Sequence, residues 1–229
     1  YITLEEFKSQ LNKIKTLVIE QHQSLYLDEL ESLIIKVNLF GFHFASLDIR
    51  QNSKIHDAVF KDIYDFYIKS NESVFPKNYY DLSEQDKFEV LSNVKGALNP
   101  DDFENEITRL TIESIQAIKV IQGNNGELGA NRYIISNNEN ALNVMETFAL
   151  IRLSDWENPT VDVVPLFESV DDLLNAHNVM EQLYTNPVYA NHLVNREMKQ
   201  TIMLGFSDGT KDGGYLMANW SIYKAKEEL

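Results

Sequence analysis

Val161-Asp162-Val163-Val164-Pro165-Leu166-Phe167-Glu168-Ser169-Val170-Asp171-Asp172-Leu173 is the stretch on which the fold turns. Val161 to Phe167 is β-branched and almost continuously apolar, which is how a strand buried on both faces reads. Glu168 follows at once, and Ser169-x-x-Asp172 has the spacing that caps a helix. Strand, short loop and helix in that order predict parallel strands joined by helical crossovers.

The same unit recurs on either side. Tyr133-Ile134-Ile135 reads as a short strand, and Ala141, Val144, Met145, Phe148 and Ile151 fall on one face of a following helix. Thr201 to Phe206 reads as another strand, with a last helix from Gly214 to Leu229. Upstream, Thr3-x-x-Glu6 opens a helix to about residue 24, and Leu27, Leu30, Leu33, Ile34 and Val37 mark a second helix ending at Gly41. Phe42 to Ile49 alternates as a strand would, Ile55, Val59, Ile63 and Phe66 mark a helix, and so do Ile107 to Ile121, stopped by Gly123-Asn124-Asn125-Gly126. Residues 70–103 are the least regular, with Pro76, Pro100 and a short helix from Ser83, and read as a surface excursion. The expectation is one helix-rich α/β domain over 1–229, part of a (β/α)8 TIM-type barrel with extra helices.

Bulk properties narrow the function classes. The 229 residues are 44% hydrophobic and 24% charged, so an ordinary globular core is expected. A net charge of −15 without a basic stripe argues against nucleic acid as partner. No apolar run approaches the roughly 20 residues that cross a bilayer. Zero cysteines exclude disulfides and thiolate metal sites and fit a cytoplasmic location. Tyr1 stands where an initiator methionine would, which suggests a start inside a longer reading frame.

Charged groups recur at the predicted strand ends: Arg50, Glu168, and Asp208 with Lys211. In a β/α barrel those ends share one face, the face that carries the chemistry. Two hard carboxylates suit magnesium or manganese, which keep water or substrate oxygens in their other positions. Arg50 offers a planar fork for an oxyanion and Lys211 a mobile point charge. Each also has a plainer explanation. Glu168 lies where a helix cap would, Asp208 where an acid favours the helix dipole, and Arg50 within reach of Asp48. The five histidines give no HExxH or facial-triad spacing. His177 sits on an apolar face with Leu173, Ala176 and Met180, His43 in the strand pattern, and His22, His56 and His192 in polar helical surroundings. Gly205-x-x-x-Gly209-Thr210-Lys211 has neither the length nor the order of a P-loop.

Four stretches together match the motifs of one enzyme family. Leu47-Asp48-Ile49-Arg50-Gln51-Asn52-Ser53 resembles that family's LDIRQES, Tyr133-Ile134-Ile135-Ser136 its YVIS strand, and Val164 to Leu173 its VPLFET-x-DDL. Met203-Leu204-Gly205-Phe206-Ser207-Asp208-Gly209-Thr210-Lys211-Asp212-Gly213-Gly214 resembles the highly specific M-x-GYSDSxKDxG. The family so resembled is phosphoenolpyruvate carboxylase, and the resemblance implies a lyase of carbon dioxide fixation, forming oxaloacetate for the tricarboxylic acid cycle from phosphoenolpyruvate and bicarbonate. It implies Arg50 on the substrate phosphate, Glu168 and Asp208 on Mg or Mn, Lys211 at the reacting groups, and a homotetrameric parent enzyme. Phe206, Gly209 and Asn52 replace the family's tyrosine, serine and glutamate. The family's TAHPTE and GRGG motifs are not in these residues, so the expectation is an internal fragment without turnover by itself. Two other readings are another magnesium-dependent barrel acting on phosphoenolpyruvate or pyruvate, and a non-catalytic helical interaction module.

Overall fold

The computed structural model describes residues 2–70, 72 and 74–229 and resolves two compact units. The first comprises residues up to Leu47 together with Ile118–Asn131. Its helices α1 (Leu4–Gln21) and α2 (Leu27–Phe40) pack on each other. Thr3 starts α1 with a full capping box to Glu6, as its spacing predicts. Gly41 ends α2 at φ 52, its N–H reaching the Val37 carbonyl.

The predicted strand over Phe42–Ile49 is corrected here. Phe42–Leu47 is a turn: Phe44 adopts φ 61, the Asn125 side chain donates to the Phe42 carbonyl, and Leu47 N–H donates to Gly129. A left-handed residue and side-chain bonding of this kind interrupt an extended ladder, so His43 lies in a turn and not in a strand.

The second unit, Asp48–Ala117 with Arg132–Leu229, contains the sheet. Four parallel strands, β1 (Asp48–Asn52), β2 (Arg132–Ser136), β3 (Asp162–Phe167) and β4 (Met203–Leu204), lie side by side in sequence order. Helices fill every interval. After β1 come α3 (Ser53–Ser70), α4 (Glu84–Asn93) and α5 (Glu106–Asn125), the last belonging to the first unit from Ile118 onward. α6 (Ala141–Leu153) joins β2 to β3, α7 (Val170–Thr185) and α8 (Pro187–Asn195) join β3 to β4, and α9 (Ser207–Glu228) follows. The chain is thus a helix-rich α/β protein with a parallel sheet.

The core sits on β2, β3 and α6. Tyr133, Ile135, Val163, Val164, Leu166 and Phe167 are buried, which accounts for the unbroken apolar run. In α6 every residue from Val144 to Leu153 is buried. Residues 74–98 contribute a satellite core of rings, with Phe60, Phe75 and Tyr79 at centroid separations of 5.2–5.7 Å.

Two C-terminal boundaries differ from expectation. The strand expected over Thr201–Phe206 shortens to Met203–Leu204: before it the Gln200 amide takes the Val163 and Thr201 carbonyls, and after it Gly205 N–H bonds Phe167 and α9 begins at Ser207. The last helix begins at Ser207, before Gly214, and Gly214 is a kink within it at φ 78, ψ 169. α5 likewise runs through Gly123 and stops at Gly126, whose φ is 92. α8 was not marked by apolar spacing; Asn186 caps it through two backbone N–H groups, with Pro187 at its first position. No described helix is long and apolar enough to cross a membrane.

Candidate active site at the strand ends

Arg50 lies at the middle of β1, not past its end, and is half exposed. The ion pair with Asp48 considered from sequence does not form, since Asp48 faces Arg132 at 3.4 Å. The guanidinium instead lies 3.6 Å from Glu168, Nη2 to Oε2. Glu168 directly follows β3 and is mostly buried, its side chain 20% exposed. It is not the helix cap: Ser169 fills that role, its hydroxyl accepting from Asp172 N–H at 3.1 Å while Ser169 N–H donates to the Asp172 carboxylate. Glu168 is therefore free to point at the sheet end, where its Oε1 accepts the Asn137 N–H at 2.9 Å.

β4 brings the second acid alongside. Gly205 N–H donates to the Phe167 carbonyl at 2.7 Å. A Cβ on Gly205 would sit 2.7 Å from Glu168 Cβ, so this approach requires glycine. Asp208 follows in the first turn of α9 and binds Lys211 Nζ at 2.7 Å. Lys211 holds the Asp208 carboxyl below the usual carboxylate range, with smaller lowering contributions from the Glu168 side chain and from Arg50. Asp208 in turn raises Lys211. Both groups are largely solvent-exposed, so the pair adds little to stability and stays available to an entering ligand. Asp212, one turn further, accepts the Val170 N–H at 3.1 Å and ties α9 to the start of α7.

Of the four side chains singled out from sequence, Arg50 pairs with Glu168 and Asp208 with Lys211, and a Cβ on Gly209, next to Asp208, would lie 3.4 Å from the Glu168 carbonyl oxygen, which brings the two pairs to one sheet end. Glu168 and Asp208 supply two carboxylates, and among the described residues no cluster of three or more His, Cys, Asp or Glu is arranged to hold a metal ion. Two carboxylates with open positions fit a hard divalent cation that keeps waters or substrate oxygens, and do not fit a closed structural site.

The histidines stay outside this arrangement. His56 and His192, read from sequence as polar-face residues, are both buried. His56 bridges Tyr133 Oη at 3.0 Å and Thr147 Oγ1 at 2.9 Å. Thr147 Oγ1 donates to the Asn143 carbonyl, so it accepts from His56 Nδ1–H and leaves Nε2 to accept from Tyr133. That assigns a neutral imidazole, and burial pushes its pKa down to about 4. His177 lies half exposed, its Nδ1 3.4 Å from Glu228.

Sequence reasoning missed Asn137 and Ser53, which support Glu168, and did not see why Gly205 is glycine. Ser53 and Gly205 lie inside the quoted motifs, and two adjacent asparagines straight after a strand are a sign of left-handed backbone.

A parallel α/β protein with acids and bases gathered at the carboxyl ends of its strands belongs to the broad class whose ligands bind at that face. The sequence profile described as "Phosphoenolpyruvate carboxylase" matches residues 1–229, and the chain belongs to that family. Among similar curated proteins, "Phosphoenolpyruvate carboxylase" of Nitrosomonas eutropha is 35% identical over 224 residues, covering 92% of this chain and 23% of that protein. The protein of the same name from Nitrosomonas europaea is 33% identical, with the same coverage. The chain thus spans about a quarter of the length of these relatives.

Proposed function

We propose that this chain supplies part of the active site of an enzyme that carboxylates phosphoenolpyruvate with bicarbonate, giving oxaloacetate and phosphate. The observation that carries the reading is the adjacency of Arg50, Glu168, Asp208 and Lys211 at one sheet end. Glu168 and Asp208 would hold Mg or Mn, which when bound would offset negative charge developing on the substrate. Arg50 orients the phosphate through its planar fork. Lys211, swinging from Asp208, meets the negative charge that builds as the bicarbonate oxygen bonds to phosphorus and the bridging C–O oxygen departs as enolate. The carboxyphosphate so formed releases carbon dioxide and phosphate, and the enolate carbon takes up the carbon dioxide.

The sequential parallel strand order with helical crossovers supports placing the sheet unit in a partial (β/α)8 barrel. In this reading the complete enzyme is a cytoplasmic homotetramer, and the 229 residues by themselves have no turnover. A coupled oxaloacetate assay on the full-length protein tests the assignment. Glu168→Gln and Arg50→Gln are each expected to lower bicarbonate-dependent kcat/KM at least about 100-fold. Near-parental activity in both would remove the proposed roles.

A further inference from the structure

Glu168 is held by main chain. The residue after β2, Asn137, has φ 54, in the left-handed region that asparagine tolerates better than most side chains. Its N–H donates to Glu168 Oε1 at 2.9 Å, while its carbonyl accepts the Ser53 hydroxyl at 2.6 Å. The Asn137 amide nitrogen adds contacts of 3.3 Å to Ser53 Oγ and 3.0 Å to Glu139. Ser53 is 3% exposed and opens α3, so it is a fixed anchor. The sign of φ decides whether one residue serves both partners. With the carbonyl pinned by Ser53, a right-handed or extended Asn137 would turn its N–H away from Glu168. The neighbouring Asn138 is fully buried, and both polar atoms of its amide lack hydrogen-bond partners.

We infer that Ser53 and Asn137 form a clamp that positions the Glu168 carboxylate, occupying Oε1 and presenting only Oε2, beside Arg50, to a ligand. Ser53 and Asn137 are positioning residues, acting through Glu168. The inference rests on the reading of Glu168 as a ligand of a divalent cation, and it adds that this ligation is through a single oxygen set by backbone geometry. The clamp joins two of the quoted motifs, since Ser53 closes the Leu47–Ser53 stretch and Asn137 follows Tyr133–Ser136.

The test is binding of Mn2+ alone to the full-length protein, without substrate, followed by the electron paramagnetic resonance of free Mn2+. Circular dichroism melting would confirm that each variant is folded. Glu168→Gln is expected to weaken binding at least 100-fold. Ser53→Ala and Asn137→Val are expected to weaken it about 10-fold, as loss of groups that orient a metal ligand does. Asn137→Gly, which keeps the N–H and accepts positive φ, is expected to stay within about twofold of the parent. If Ser53→Ala and Asn137→Val bind like the parent while Glu168→Gln does not, the clamp is wrong and the ligand assignment stands. If Asn137→Gly fails as badly as Asn137→Val, the side chain matters and the backbone argument is wrong. If Glu168→Gln binds like the parent, the ligand assignment itself fails and the clamp goes with it.

Discussion

The β2–β3–α6 half of the sheet unit and its β4–α9 half obey different rules. In the first, strands of five and six residues are sealed on both faces, and helix starts are fixed by side-chain caps at Asn140 and Ser169. In the second, a two-residue strand leads into a helix that has no side-chain cap and breaks at Gly214. α9 packs on α7 and buries the small residues Ala218, Ser221 and Ala225, while Tyr215, Leu216, Trp220 and Tyr223 are exposed. The candidate site straddles the two. Glu168 belongs to the sealed half and is held by main chain, whereas Asp208 and Lys211 ride on the half with a bare outer face and hold each other. The contrast teaches that a carboxylate can be placed by the core behind it or left to its neighbouring charge, and this site combines the two.

The largest expected effect tests the sealed half. Phe167 is fully buried at the end of β3, directly before Glu168. Phe167→Ala should cost about 3–5 kcal/mol by removing buried surface and leaving a cavity. Chemical denaturation of the parent and variant reads this directly. A cost below about 1 kcal/mol would mean that this half is no better packed than α9.

Next comes a polar feature buried in the same half. Glu146, on α6, is 9% exposed, and one of its carboxylate oxygens has no hydrogen-bond partner. Burial, reinforced by Asp57, pushes its pKa up to about 9. In the folded chain it is therefore protonated at pH 7, while in the unfolded chain it ionises near the usual carboxylate value. Stability from this group is whole below about pH 4.5 and declines as pH rises toward 9. Glu146→Gln should remove the decline and raise stability by about 1–3 kcal/mol at pH 7, with no gain at pH 4.5. Thermal melting across that range checks it, and a variant that is destabilised at pH 7 would show an ionised Glu146 performing a structural task. His56 has the opposite sign. Its folded pKa lies near 4, below the unfolded value, so its contribution is present above about pH 6.5 and falls away as pH drops through 4.

Legibility followed burial. β3 and its capping box were readable because an apolar run of that length has one physical use and Ser169-x-x-Asp172 a local one. β1 was readable as a strand but misplaced, because Phe42–Leu47 alternates like a strand while Gly41 and Phe44 hold positive φ. β4 was overextended because nothing local announces that the Gln200 side chain will take the Val163 carbonyl, 37 positions away. The burial of His56 was hidden for a similar reason: its partners Tyr133 and Thr147 lie on β2 and α6. The charged residues of the candidate site were visible as residue types at strand ends. Which acid would face Arg50, and which backbone would hold it, depended on long-range pairing that periodicity does not encode.

The joint between the halves gives the third test. Gly205 carries β4 past Glu168, and a methyl there would meet Glu168 Cβ at 2.7 Å and its Cα at 3.0 Å. Because one of those atoms is backbone, the strand ends must separate. Gly205→Ala should cost about 1–3 kcal/mol, as overpacking does. It should also weaken Mn2+ binding by the full-length protein, because Asp208 moves away with β4. Unchanged Mn2+ affinity with lowered stability would show that the two acids act independently.

The smallest effect is expected on the outer face of α9, where Leu216 is 82% exposed. A side chain already in water has little transfer free energy to lose, and alanine has the better helix propensity. Leu216→Ala should therefore change stability by less than about 0.5 kcal/mol in the 229-residue chain. The same denaturation experiment as for Phe167→Ala measures it, so the two numbers stand on one scale. A cost of 2 kcal/mol or more would mean that Leu216 is covered in solution, and the division of the sheet unit into a sealed half and one with a bare outer face would have to be withdrawn.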